Sequence, residues 1–179
     1  MPLSISSQFD AGAIEVLSAR RADDIQLNIR KDATLDPACD FRQWFYFRLQ
    51  GGRGKPCVIR LMNAGKTTYP GGWRGYQAVA SYDRDTWFRV PTDYRSGVLT
   101  IRHTPDADSV YYAYFEPYSW ERHLALLGWA ERSPRVRVER LGATVDGRDF
   151  DCVTVGNPRA AVKVWVIARQ HPGETMAEW

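Results

Sequence analysis

Phe41-Arg42-Gln43-Trp44-Phe45-Tyr46-Phe47-Arg48-Leu49 is the stretch on which the fold of most of this chain turns. Side chains of a strand alternate between two faces, so Phe45, Phe47 and Leu49 fall on one side and Trp44, Tyr46 and Arg48 on the other. The first set faces a core. The second packs against another layer or borders a binding surface, and packing is the simpler use of amphipathic rings.

The same period of two recurs outward in both directions. Residues 13–17 alternate, and residues 24–30 do so cleanly, with Ile25, Leu27 and Ile29 on one face. Residues 32–40, with Pro37 and three Asp, read as a loop. Downstream, 56–62, 77–82, 87–90, 98–103 and 110–115 are short β-rich runs separated by Gly, Pro and Asp turns. Strands at roughly ten-residue spacing with no helix between them predict an antiparallel β-sandwich or barrel. The glycine-bearing segment 63–75 sits inside this series. Gly65-Lys66-Thr67 lacks the upstream glycine of a phosphate-binding loop and reads as an ordered surface loop. His103, at a strand end beside Thr104-Pro105-Asp106, reads as a surface or capping residue.

Composition sets the class. With 179 residues, 44% hydrophobic and 13% aromatic, the chain has ample material for a packed core. No apolar run reaches the length of a membrane span, and Met1-Pro2-Leu3-Ser4-Ile5-Ser6 has neither the basic start nor the apolar stretch of a signal peptide, so the expected compartment is the cytoplasm. Cys39, Cys57 and Cys152 are scattered and odd in number, which predicts reduced, mostly buried thiols rather than a disulfide framework or a thiolate zinc site. The net charge of +3 is small, and no basic run or patterned helix accompanies it, so neither nucleic acid nor membrane is an expected partner.

At Glu116-Pro117-Tyr118 the pattern changes. Ser119 is placed to cap a helix over 120–130, with Trp120, Leu124 and Leu127 on one stripe and His123 half-buried beside it. Alternation returns in 135–141 and 150–155 around a turn at Asp146-Gly147. Residues 161–168 are more continuously apolar than any run before them, as expected of a strand covered on both faces of an α/β sheet. Gln170-His171-Pro172-Gly173-Glu174-Thr175 follows. Ligands collect at the carboxyl ends of such strands. An imidazole and a carboxylate are both good zinc ligands, and a catalytic zinc takes three protein ligands and keeps a water position. Pro172 pushes His171 toward extended backbone and suits the first position of a helix, which would place Glu174 in a first turn where the dipole favours its charge. A His-x-x-Glu pair by itself is a common coincidence, and a surface His near a strand end is its plain alternative.

The series of motifs carries more weight than the pair. Gln170 to Thr175 after an apolar strand, Leu141-Gly142-x-x-Val145-Asp146-Gly147-Arg148-Asp149, Phe115-Glu116-Pro117-Tyr118-Ser119, Phe9 to Val16 and Gln43 to Phe47 together resemble the M14-type zinc carboxypeptidases, most closely the cytosolic carboxypeptidase branch. The resemblance implies an antiparallel β-sandwich over 1–116, then over 117–179 a junction helix and the first strands of an α/β carboxypeptidase domain. It implies His171 and Glu174 as the first two ligands of one zinc ion. The third ligand and the general base, on this reading, lie downstream of Trp179, so no catalytic residue is assigned within the chain. The implied activity is zinc-dependent removal of C-terminal residues from peptides or proteins, while the 179 residues alone are expected neither to hold zinc tightly nor to hydrolyse peptides. The competing expectation is a non-catalytic β-sandwich module for protein binding or folding. Oligomeric state and the preferred C-terminal residue have no signature in the sequence.

Overall fold

Strand β4 (Tyr46–Gln50) lies between β1 (Ser4–Ser6) and β10 (Ser109–Ala113), with Leu49 opposite both Ile5 and Val110. The computed structural model describes residues 2–32, 38 and 40–179; Pro37 and Cys39 lie outside the described residues. Beyond β10 the sheet continues through β6 (Val79–Ser81) to β7 (Phe88–Arg89), giving the order β1-β4-β10-β6-β7. A second five-stranded sheet is built from β2 (Glu15–Arg21), β3 (Asp24–Asn28), β5 (Cys57–Leu61), β9 (Val98–His103) and β8 (Thr92–Arg95), in the order β2-β3-β5-β9-β8.

The two sheets face each other across one apolar core. Ile25, Leu27, Ile59, Leu61, Leu99 and Ile101 come from one sheet and Phe47, Leu49, Val110 and Tyr112 from the other, with Phe45 just before β4, all of them fully buried. Each set alternates along its strand, so the period-two pattern is what turns these side chains inward. The face of β4 that carries Tyr46 is also covered. Tyr46, Val79 and Ala113 are buried beneath Phe9, Trp44, Trp87 and Tyr111, and Phe9 meets Tyr46 edge-on at 4.8 Å between ring centroids.

One pairing departs from the expected antiparallel arrangement, and one strand was not expected. β3 and β5 pair in parallel, Ile25 opposite Ile59, because the chain crosses to the facing sheet through β4 before returning beside β3. The second sheet is therefore mixed. β8 forms although Pro91 precedes it; as the outer strand it tolerates a proline that donates nothing, and the Pro91 carbonyl accepts from Arg102 N at 2.9 Å.

The glycine-bearing loop serves the core. Trp73 is only 1% exposed, and its indole N–H donates to the Ala64 carbonyl and to Thr67 Oγ1, each at 2.9 Å. A Cβ on Gly65 would fall 2.7 Å from Gly97 Cα, so this glycine permits two loops to touch. Cys57 is buried and free, and Cys152 is free and partly exposed.

After the sandwich, α1 (Trp120–Ala130) begins as the sequence predicts: Ser119 Oγ accepts from Arg122 N at 3.2 Å. Of its expected stripe, Leu127 is buried, whereas Leu124 is 42% exposed. β11 (Val136–Ala143) and β12 (Asp149–Val155) form an antiparallel hairpin, with Gly147 in the left-handed region at φ 77. The strand expected over 161–168 is not formed. No described strand pairs with it, and Val162, Val164, Trp165, Val166 and Ile167 are each at least 72% exposed. The composition favours a strand, but its backbone groups need a neighbour to pair with. No helix among the described residues is long and apolar enough to cross a membrane.

Candidate metal centre

The segment after that exposed run turns back onto the molecule. Arg169 adopts φ 50, a left-handed conformation that costs a side-chain-bearing residue roughly 1 kcal/mol, and so reverses the chain just before His171. Three contacts hold it there: Nε donates to the Pro172 carbonyl at 3.1 Å, and one guanidinium nitrogen reaches the Tyr118 carbonyl at 3.0 Å and Glu178 Oε2 at 2.5 Å. The turn is closed by Glu174 N donating to the His171 carbonyl at 3.0 Å. Residues Thr175–Glu178 then form one 3-10 turn, with Glu174 as its N-cap residue. The helix start expected at Pro172 is thus displaced past Glu174.

This turn brings the two sequence-predicted ligands together. His171 Nδ1 lies 3.0 Å from Glu174 Oε1, and both side chains are largely open to solvent. Zinc bonds of about 2.1 Å at a tetrahedral angle separate two donor atoms by about 3.4 Å, so a small opening of this pair admits a shared ion. The donor set suits zinc in kind, one imidazole nitrogen and one carboxylate oxygen. It supplies two ligands. Among the described residues no group of three or more His, Cys, Asp or Glu side chains converges at ligand spacing.

The other two histidines are elsewhere and differently engaged. His123 stacks on Trp120 at 5.1 Å and lies 3.6 Å from both Asp151 Oδ2 and Glu178 Oε1, half-buried as its helix position predicts. His103 is not a simple surface residue. Its Nδ1 sits 2.9 Å from the buried Tyr112 hydroxyl and its Nε2 3.4 Å from that of Tyr82, and burial pushes its pKa below the ordinary value, with Asp106 opposing.

Residues that sequence reasoning did not single out complete the site's base. Thr175 is 1% exposed, and its hydroxyl donates to the Glu116 carbonyl at 2.6 Å. Trp179 meets Tyr118 edge-on at 5.5 Å, and the Arg122 guanidinium lies 3.9 Å over its ring. Beside Gly173 stands Trp44; a Cβ at Gly173 would lie 3.8 Å from its Cε3. Thr175 belongs to the quoted motif, so its position was visible even though its burial was not. Nothing local signals the left-handed Arg169.

Residues 5–115 match the family described as the cytosolic carboxypeptidase N-terminal domain. The chain belongs to this family. A metallo-carboxypeptidase structure from Burkholderia cenocepacia is 55% identical with a TM-score of 0.93, over 100% of this chain and 47% of that one. A metallo-carboxypeptidase from Pseudomonas aeruginosa, in complex with (2-guanidinoethylmercapto)succinic acid, is 43% identical with a TM-score of 0.89, over 98% of this chain and 46% of that one. An uncharacterized protein of Zymomonas mobilis is 45% identical over 179 residues, all of this chain and 45% of its own length. The chain spans about half the length of these relatives.

Proposed function

We propose that this chain is the N-terminal part of a zinc metallocarboxypeptidase that removes C-terminal residues from peptides or proteins. On this reading 1–116 form the β-sandwich and 117–179 open the α/β catalytic domain. The observation that carries the proposal is the convergence of His171 Nδ1 and Glu174 Oε1 to 3.0 Å on a fixed turn, in a chain of the cytosolic carboxypeptidase family. His171 and Glu174 would hold the ion, and the other ligand and the general base would come from residues beyond Trp179. A bound zinc supplies Lewis-acid polarisation of the scissile carbonyl and a water of lowered pKa.

The residues present contribute orientation. Arg169 turns the chain just before His171, and Pro172 disfavours the helical region for the His171 backbone. Glu174 N, bonded to the His171 carbonyl, fixes the spacing of the two side chains. The succinate bound by the Pseudomonas aeruginosa relative carries carboxylates, the group by which an exopeptidase tells a chain end from an internal bond, and this supports free C-termini as the substrates. The family description also supports the cytoplasm as the compartment.

The test uses the product of the full reading frame. His171→Ala and Glu174→Gln should each remove most of the bound zinc and lower the release of C-terminal residues from a peptide mixture by at least about 100-fold. Retention of both zinc and peptidase activity in either variant refutes the assignment.

A further inference from the structure

We infer that Thr175 and Arg169 are positioning residues through which the β-sandwich and its junction hold the His171-Glu174 pair in ligand geometry. The inference rests on the ligand reading proposed above. Thr175, immediately after Glu174, is the buried anchor of an otherwise exposed turn, and its hydroxyl donates at 2.6 Å to the carbonyl of Glu116, where the sandwich ends. Arg169, two residues before His171, donates at 3.0 Å to the carbonyl of Tyr118 in the same junction segment. The ligand pair is therefore pinned on both sides to one short stretch of backbone.

The sandwich in turn fixes that stretch and the turn's underside. Tyr76 Oη donates to the Tyr114 carbonyl at 2.5 Å, next to the junction. Trp44, which stands beside Gly173, is locked by its indole N–H to the Ala11 carbonyl at 2.8 Å. Among the described residues the side chains of His171 and Glu174 hydrogen-bond only to each other. Order in the pair thus comes from the flanking residues. Side chains held this way reach a metal without first losing conformational freedom, which is how outer partners raise affinity.

The experiment compares zinc affinity with backbone protection in the full reading-frame product. Zinc dissociation constants are measured by competition with a chromophoric chelator, and amide hydrogen exchange over 170–178 is followed in the metal-free protein. Thr175→Val, which keeps the shape and removes the donor, should weaken zinc about tenfold and speed exchange at the Glu174 amide. Thr175→Ser should restore both to within about twofold, a rescue that loss of packing alone would not give. Arg169→Met provides a second variant with the same expected direction should Thr175→Val fold poorly. If His171→Ala and Glu174→Gln abolish zinc binding while Thr175→Val and Arg169→Met leave both affinity and exchange unchanged, the positioning inference is overturned and the ligand reading stands. If His171→Ala and Glu174→Gln leave zinc affinity intact, the ligand reading fails and the inference falls with it.

Discussion

Replacing Trp73 by Phe tests whether the loop over 63–75 is a structural plug in the sandwich. Trp73 is 1% exposed and touches Phe45, Tyr76 and Tyr114, with ring centroids at 6.4, 5.2 and 5.2 Å. Losing the indole N–H removes two hydrogen bonds of 2.9 Å, but both acceptors keep a partner because Thr67 Oγ1 still donates to the Ala64 carbonyl at 2.8 Å. The polar loss is therefore about 1 kcal/mol rather than the larger penalty of an orphaned buried group. Truncating a buried Trp to Ala costs about 3–5 kcal/mol, and the pyrrole part of the indole is roughly a third of that, about 1–1.5 kcal/mol. The sum is about 2–2.5 kcal/mol, or a fall in Tm of roughly 4–10 °C for a protein of this size. Urea unfolding should show a lower midpoint at unchanged slope. Thr67→Val should cost about 1 kcal/mol, and the double variant should lose less than the sum of the two. A Trp73→Phe midpoint within about 0.5 kcal/mol of the parent would refute the reasoning, since that is the range of a surface substitution.

Two further outcomes follow from the same domain. Gly65→Ala puts a Cβ 2.7 Å from Gly97 Cα, a backbone atom that cannot yield cheaply, and should lower stability by about 1–3 kcal/mol, whereas the exposed Lys66→Ala should change it by less than about 0.5 kcal/mol, both read from thermal unfolding. Stabilisation by added inorganic phosphate that Lys66→Ala abolishes would restore the phosphate-loop reading. The imidazole of His103 has its folded pKa pushed below 6.5 by burial, so as pH falls below that value the unfolded chain binds a proton that the folded chain resists, and stability drops. The urea midpoint should fall between pH 7 and pH 5, and His103→Gln should flatten that slope; an equal slope in both proteins would count against burial as the cause.

The parts of the fold that could be read directly were those set by local period. Phe45, Phe47 and Leu49, and Ile25, Leu27 and Ile29, are all fully buried as their alternation predicts, and Ser119 caps α1 through one short-range bond. What escaped depends on distant partners. The parallel pairing of Ile25 with Ile59 is decided by where β4 goes, and β8 is hidden behind Pro91 because a proline is excluded only from strands whose N–H has a neighbour. Residues 161–168 have the composition of a buried strand, yet strand formation needs an adjacent edge, which composition does not encode. At the candidate site, residue type and spacing singled out His171 and Glu174, whose side chains lie 3.0 Å apart. Their support was not legible: Arg169 at φ 50 and the bond from Thr175 to the Glu116 carbonyl belong to the three-dimensional return of the chain.

The placement of β4 between β1 and β10 also orders events in time. Gln50 faces Ser4 on one side and Ser109 on the other, so β4 joins the first and last strands of the sandwich. Both closures span long stretches of chain, and their entropy is lost before any ladder forms to offset it. During synthesis, β2, β3 and β5 can assemble early, but Phe47 and Leu49 remain without their partners Tyr112 and Val110 until residue 113 has left the ribosome. The core residues of β4 thus wait on the last strand, and the order of the chain predicts that the sandwich closes late.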